Sequence, residues 1–239
     1  MVFDVLRASS TLVTLLDRGA APVYIAETVD AARALAARLP RRPLLCGEVG
    51  GLPPSDFDHG NSPTELARVN LQGQAVVLAT SNGTRALAAL ASAPLVLVGC
   101  FLNASAVAAC ARTAARAQGV DLALVCAGDE SGRQFSLEDA LAAGYVVERL
   151  QASAASSDDA LDLDDGAIAA WRLYRSYAGA SGPAAAAAQG FAEAFHGREL
   201  ARLGFDDDLA YCAAADSSLV VPLLSREGET LVLRPAGAD

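Results

Sequence analysis

The chain has 239 residues, 53% of them hydrophobic, and a formal charge of −10. That length suits one large α/β domain or two small lobes around a buried core, and an acidic chain without a basic run argues against binding nucleic acid or anionic lipid. All 18 basic residues are arginine, which excludes a Schiff base and a P-loop lysine and leaves any bound anion to Arg, backbone N–H groups or a metal.

Val2–Val5, Val23–Ala26, Leu44–Cys46, Ala75–Ala79, Leu95–Val98 and Leu122–Cys126 are short apolar runs of the kind that form buried strands. Helical patterns near 9–18, 29–39, 63–70, 83–91, 104–117 and 137–151 alternate with them. That alternation predicts an α/β fold, three-layered α/β/α with a mostly parallel sheet, and it allows two similar lobes. A polar, acidic stretch over 152–165 is expected to be an exposed loop separating a site-bearing lobe, 1–151, from a helical segment and strands over 166–239. The last strands, Leu219–Leu224 and Thr230–Leu233, flank Arg226-Glu227-Gly228-Glu229 and predict an antiparallel C-terminal hairpin.

No apolar run is long enough to cross a bilayer, and Met1-Val2-Phe3-Asp4 lacks the basic and apolar regions of a secretory signal. The five cysteines are odd in number and have no C-x-x-C spacing, as expected of reduced thiols in a cytoplasmic protein.

Chemistry-bearing residues gather just past the strand ends, where open α/β sheets bind ligands. Asp4, Arg7, Ser9 and Ser10 follow the first strand. Glu48 stands in a glycine-rich turn after the third, and Asp58, His59, Asn61 and Ser62 lead into a helix. Ser81, Asn82, Gly83, Thr84 and Arg85 follow the fourth strand, Asn103 the fifth, and Gly128 and Asp139 the sixth. Several have bland readings. Ser62-Pro63-Thr64-Glu65 is a capping box, Ser136-Leu137-Glu138-Asp139 reads equally as a cap, Asn103 reads as an N-cap and Asn82-Gly83 as a tight turn. His196 is expected only to lie near a helix end. Glu48 and Asp4 are harder to explain structurally, because charges at buried strand ends need partners or a metal.

Covalent signatures are missing. Cys126 precedes Arg133 with C-x₆-R spacing, one residue longer than the tyrosine-phosphatase loop, and there is no G-x-S-x-G or H-E-x-x-H. A metal-activated water is the simpler mechanism.

D-V-L-R-A-S-S at 4–10, G-E-x-G-G at 47–51, F-D-x-G-N-S-P at 57–63, S-N-G-T-R-A-L at 81–87, G-x-F-L-N-A-S-A-V at 99–107, C-A-G at 126–128 and F-S-L-E-D at 135–139 resemble the 2-phosphosulfolactate phosphatases, in order and spacing. Gly204, Asp207 or Asp208, Cys212-Ala213, Asp216 and Val221-Pro222 fit the same family's C-terminal pattern. Members usually carry a further strand ahead of the first motif, on which this chain begins directly. The resemblance implies a Mg²⁺-dependent phosphatase acting on (R)-2-phospho-3-sulfolactate in the route to coenzyme M, although fold alone does not fix a substrate.

On that reading Asp4 and Glu48 hold Mg²⁺, with Asp58 and Asp139 as further candidates. Arg7 and Arg85 clamp anionic groups, joined by Arg133 as a third candidate, and backbone N–H groups at Asn82–Thr84 and after Asn103 cradle oxygens. Ser9, Ser10, Asn61, Ser62, Ser81 and Gly128 complete the expected substrate shell. Asp4, Arg7, Glu48, Asn82 and Asp139 are the catalytic candidates, without a decision on which acid is the base. The expected partner is a small phospho-acid, with homo-oligomerisation open. The alternatives are a non-catalytic binder of an anionic metabolite and a phosphatase or lyase acting on a related phospho-acid.

Overall fold

A computed structural model describes residues 1–130, 132–153 and 161–237. Among the described residues the strands are β1 (Val2–Phe3), β2 (Val23–Ala26), β3 (Leu44–Gly47), β4 (Val76–Ala79), β5 (Val125–Cys126), β6 (Pro222–Glu227) and β7 (Thr230–Pro235). The helices are α1 (Ser10–Asp17), α2 (Val29–Arg38), α3 (Pro63–Leu66), α4 (Gly83–Ala89), α5 (Ala104–Gln118), α6 (Leu137–Ala152), α7 (Asp165–Ala178), α8 (Gly182–Glu193), α9 (Phe195–Arg202) and α10 (Asp206–Cys212). The expected acidic loop falls partly at 154–160, outside the described residues.

β3, β4 and β2 pair in parallel, and β2 then pairs antiparallel with β7 of the C-terminal hairpin. The expected strand over 95–98 makes only isolated bridges, yet it joins the two halves of the sheet. Val98 N–H donates to the Pro222 carbonyl at 2.9 Å and Leu224 N–H to that of Val96 at 2.9 Å, while Val2 N–H donates to Leu97 at 2.8 Å on the other side. β5 follows β1 in parallel. The hairpin thus lies as an antiparallel insertion between two parallel blocks, and the layer is mostly parallel as expected.

Strand alternation places core on both faces. Val23, Ile25, Val76 and Leu78 pack with Leu12, Leu15 and Leu87 of α1 and α4, whereas Ala26, Leu45 and Val77 meet Ala32 and Leu35 of α2. Phe3 and Leu97 face the cluster built on α5, α6 and α8. α1 is buried from Ser10 to Leu16. It tolerates internal hydroxyls because Thr14 donates to the Ser10 carbonyl at 2.8 Å and Thr11 to that of Asn61 at 3.1 Å, which removes the penalty of an unmet buried donor.

α6 carries the next site residues, and its position depends on close helix packing. A Cβ on Gly144 would enter the envelope of the Ala170 carbonyl on α7. One residue on, Tyr145 stacks on Phe101 at 5.6 Å. Gly144→Ala should therefore destabilise the fold by about 1–3 kcal/mol through overpacking, read as a lower denaturation midpoint at unchanged slope.

Candidate active site

The first turn after β1 is bonded to itself. Asp4 N–H donates to Ser9 Oγ at 2.8 Å, Ala8 N–H to Asp4 Oδ1 at 3.3 Å, and Ser10 Oγ to the Val5 carbonyl at 2.9 Å. Ser9 and Ser10 therefore brace the turn that holds Asp4 at the carboxyl end of the sheet. Asp4 Oδ2 lies against Gly83 at the start of α4, where an added Cβ would be 2.6 Å from that oxygen and 2.6 Å from Ala8 Cβ. Glycine at 83 is a condition for this approach.

Across the floor, Asp139 is 3% exposed and both its oxygens are engaged, by Val5 N–H at 2.8 Å and Gly128 N–H at 3.1 Å. It joins the ends of β1 and β5, and Ser136 caps α6 beneath it. Buried Glu138 precedes it. Taking these carboxylates out of water raises the pKa of each, because the charged form loses solvation. Burial pushes Asp4 up to about 6, against the opposing influence of His196, and Glu48 and Glu138 add repulsion. Burial also raises Glu138, and it holds Asp139 well above the usual carboxylate range with help from Asp4 and Glu138.

Glu48 approaches from β3. Gly47 has φ +149°, and a side chain there would strike the Ala79 carbonyl at the end of β4. This contact lets Glu48 reach Ser81, accepting from its N–H at 2.7 Å and its hydroxyl at 3.2 Å, as well as from Gly51 N–H at 2.9 Å. Beside it opens a cleft of about 450 Å³ whose walls include Thr28, Glu48, Ser81, Asn82, Arg85 and Asp129. Arg85 also donates to the Glu27 carbonyl at 3.4 Å, and Asn82 Nδ2 to Asp129 Oδ1 at 3.3 Å.

Other expected site residues serve the framework. Arg7, 3% exposed, forms an ion pair with Asp208 at 2.9 Å, donates to the Gly51 carbonyl at 2.7 Å and lies 4.1 Å over the Phe205 ring. Asp208 also accepts from Ser62 Oγ at 2.7 Å, and Ser62 accepts from Glu65 N–H, so the N-cap half of the expected capping box is present while the Glu65 carboxylate meets His59 instead. Asn61 is buried beside that pair with Oδ1 unpartnered among the described residues. Asp58 is directed away from the acids, to Leu45 N–H and Arg42. His59 contacts Glu65 at 2.6 Å, and Arg133 donates to the Glu130 carbonyl at 3.1 Å.

Asn103 stands at the N-cap position of α5 as expected, but its side chain makes no capping bond there: it accepts from Cys100 N–H and donates to Val98 and Val220, locking the 98–103 turn. At the start of α5 the Asp216 carboxylate instead accepts from Ser105 N–H and hydroxyl, both at 2.7 Å. The Ser105 N–H at that end is therefore taken by protein. At α4, Thr84 N–H is likewise taken, by Thr80 Oγ1 at 3.2 Å. Cys126 is exposed, yet the protein around its sulfur pushes the thiol up to about 12, aided by Asp139 and Glu138. That direction is wrong for a nucleophile.

Asp208, Glu138, Asp129 and His196 were not among the expected site residues. The Asp-rich helix start at 206–208 is a signal for the first, but only folding shows which acid meets Arg7.

Two outcomes follow. Because the folded state holds the Asp4 proton up to about pH 6 and the unfolded chain releases it near 3.8, the folded form binds more protons within that window. Stability should therefore fall as pH rises through it. In EDTA, Asp4→Asn should weaken this decline and raise stability at pH 7, measured by denaturant unfolding across pH. Asp208→Ala strands a buried guanidinium and should lower stability by about 3–5 kcal/mol, read by the same method at pH 7.

The family model described as 2-phosphosulpholactate phosphatase matches residues 1–227. A protein of Thermotoga petrophila named "Probable 2-phosphosulfolactate phosphatase" is 37% identical over 227 residues, covering 94% of this chain and 88% of that protein. One of Deinococcus radiodurans with the same name is 38% identical over 239 residues, covering 100% and 90%. A third, from Gloeobacter violaceus, is 35% identical over 226 residues, covering 94% and 87%. With buried acids at the sheet's carboxyl edge, an arginine-walled cleft beside them and similarity along nearly its whole length, this chain belongs to the 2-phosphosulpholactate phosphatase family.

Proposed function

We propose that this chain is a Mg²⁺-dependent phosphatase that hydrolyses 2-phosphosulfolactate, or a phospho-acid of the same small, multiply anionic type, to the hydroxy acid and phosphate. The observation that carries the metal is the crowding of Asp4, Glu138 and Asp139 at one buried strand end with Glu48 close enough to repel Asp4. A multiply charged ester has no reason to approach such a cluster unless a cation intervenes.

The donor set fits Mg²⁺, a hard ion that takes carboxylate oxygens and keeps much of its water. Among the described residues no three His, Cys, Asp or Glu side chains form a ready-made metal cage. A site with one or two direct carboxylates, the rest water and substrate oxygen, matches this ion's habit. Asp4 would be the first such ligand and Glu48 the second. Bound there, the ion would supply positive charge against the phosphoryl oxygens and an activated water.

The protein's own groups do the rest. Arg85 and the Ser81 and Asn82 side chains orient the anionic frame along the cleft. Arg7 supports from behind, holding the Gly51 carbonyl and Asp208 so that the Glu48 turn keeps its place. Asp139 fixes the floor with both oxygens committed. Glu138 lines a second hollow beside Asp129, and burial raises its pKa above the usual carboxylate value, the direction that suits a proton-carrying group.

The measurement is phosphate release from 2-phosphosulfolactate and related phospho-acids. EDTA should abolish it and Mg²⁺ restore it. Cys126→Ser should keep most of the activity, since its thiol is held protonated, whereas Asp4→Asn should lose nearly all. Full activity in metal-free protein, or a dead Cys126→Ser, would overturn the mechanism.

A further inference from the structure

The second hollow, about 160 Å³, is lined by Asp129, Ser136, Glu138 and His196, with the Phe135 and Phe195 rings also at its walls. Asp129 lines the larger cleft too, so one residue borders both spaces. His196 is the second residue of α9. Its placement is enforced by the α8–α9 corner: a Cβ on Gly197 would enter the Phe191 carbonyl, and Ala194 N–H donates to Gly190 at 2.8 Å.

The imidazole is half-buried. Of the groups around Asp4, a charged His196 would exert the strongest attraction on that carboxylate, and it acts on Glu138 as well. Yet among the described residues the His196 ring makes no hydrogen bond and no ion pair, in contrast to His59, which is held by Glu65. His196 and Glu138 line the same hollow, and the unbonded ring has an N–H to offer an oxygen-bearing group held there. An imidazole offers an N–H donor whether neutral or charged, and an anionic ester among these acids needs donors.

We propose that His196 is a substrate-contacting residue of this site, donating an N–H from the α9 side to an anionic oxygen of the bound phosphate ester. The assignment rests on the phosphatase reading for the identity of the ester, but not for the contact itself. His196 thereby faces the substrate from the α9 hollow, while Arg85 meets it from the main cleft.

With only two histidines in the chain, imidazole NMR tests the contact directly. Inorganic phosphate, titrated with and without Mg²⁺, should shift the His196 resonances, assigned by their loss in His196→Phe, and leave those of His59 in place. In kinetics, His196→Phe should lower kcat/KM by roughly tenfold or more, as expected for a lost charge-assisted hydrogen bond. His196→Gln, which restores a donor, should recover part of the loss. A His196 signal unmoved by phosphate overturns the proposal whatever the enzyme's activity, and so does a folded His196→Phe enzyme with wild-type kcat/KM. A wild type that shifts His196 on phosphate but hydrolyses no phospho-acid supports the contact and counts against the phosphatase reading alone.

Discussion

The structure is organised around burying like charges together. Asp4, Glu138 and Asp139 occupy one corner between the ends of β1 and β5 and the start of α6. Burial raises the pKa of each, and repulsion between Asp4, Glu138 and Asp139 adds to the rise at Asp4 and Asp139. The fold holds them in place because backbone donors are aimed at them: Val5 and Gly128 N–H at Asp139, and Ala8 N–H at Asp4. Hydrogen bonds to carboxylates are among the stronger ones in proteins, and here they offset part of the desolvation. What remains unbalanced is negative charge, and a cation would relieve it.

A second constraint closes the chain on itself. Arg7 and Asp208 lie 201 residues apart and meet in the interior, with Ser62 and Gly51 drawn into the same network. The pair fastens the first turn, the glycine-rich turn after β3 and α10 to one another. Its net contribution to stability against an apolar substitute is small or negative, because two ions must be desolvated. It contributes geometry: the two turns that carry Asp4 and Glu48 are held in fixed relation.

The sheet follows a similar logic. The C-terminal hairpin lies between two parallel blocks and bonds to the 96–98 segment, so the last strands of the chain complete the layer on which the first depends. Local patterning shows a hairpin, since Gly228 sits between two apolar runs, but says nothing about its neighbours. Pairing partners are chosen by long-range burial, which a window of a few residues does not contain.

Much of the molecule was legible in the order of residues alone. Apolar runs of strand length separated by 3.6-period helices determined an α/β layer, and β2, β3, β4, α1, α2 and α5 lie within a residue or two of the expected bounds. The absence of lysine fixed which groups could meet an anion. Glu48 and Asp4 stood out because isolated charges at apolar strand ends have few structural uses. Tertiary structure alone decided what each polar residue does. Arg7, Ser9, Ser10, Ser62 and Asn103 have the same types in the same motifs whether they face a ligand or a neighbouring turn, and that distinction lies in contacts formed with residues far along the chain. His196 is the converse case: nothing in its local sequence marks it, and only the α8–α9 corner carries its ring toward acids that lie 192 positions earlier at Asp4 and 58 earlier at Glu138. Local sequence sets backbone preference through short-range sterics and periodicity, whereas a side chain's role depends on which partner the folded chain brings within reach.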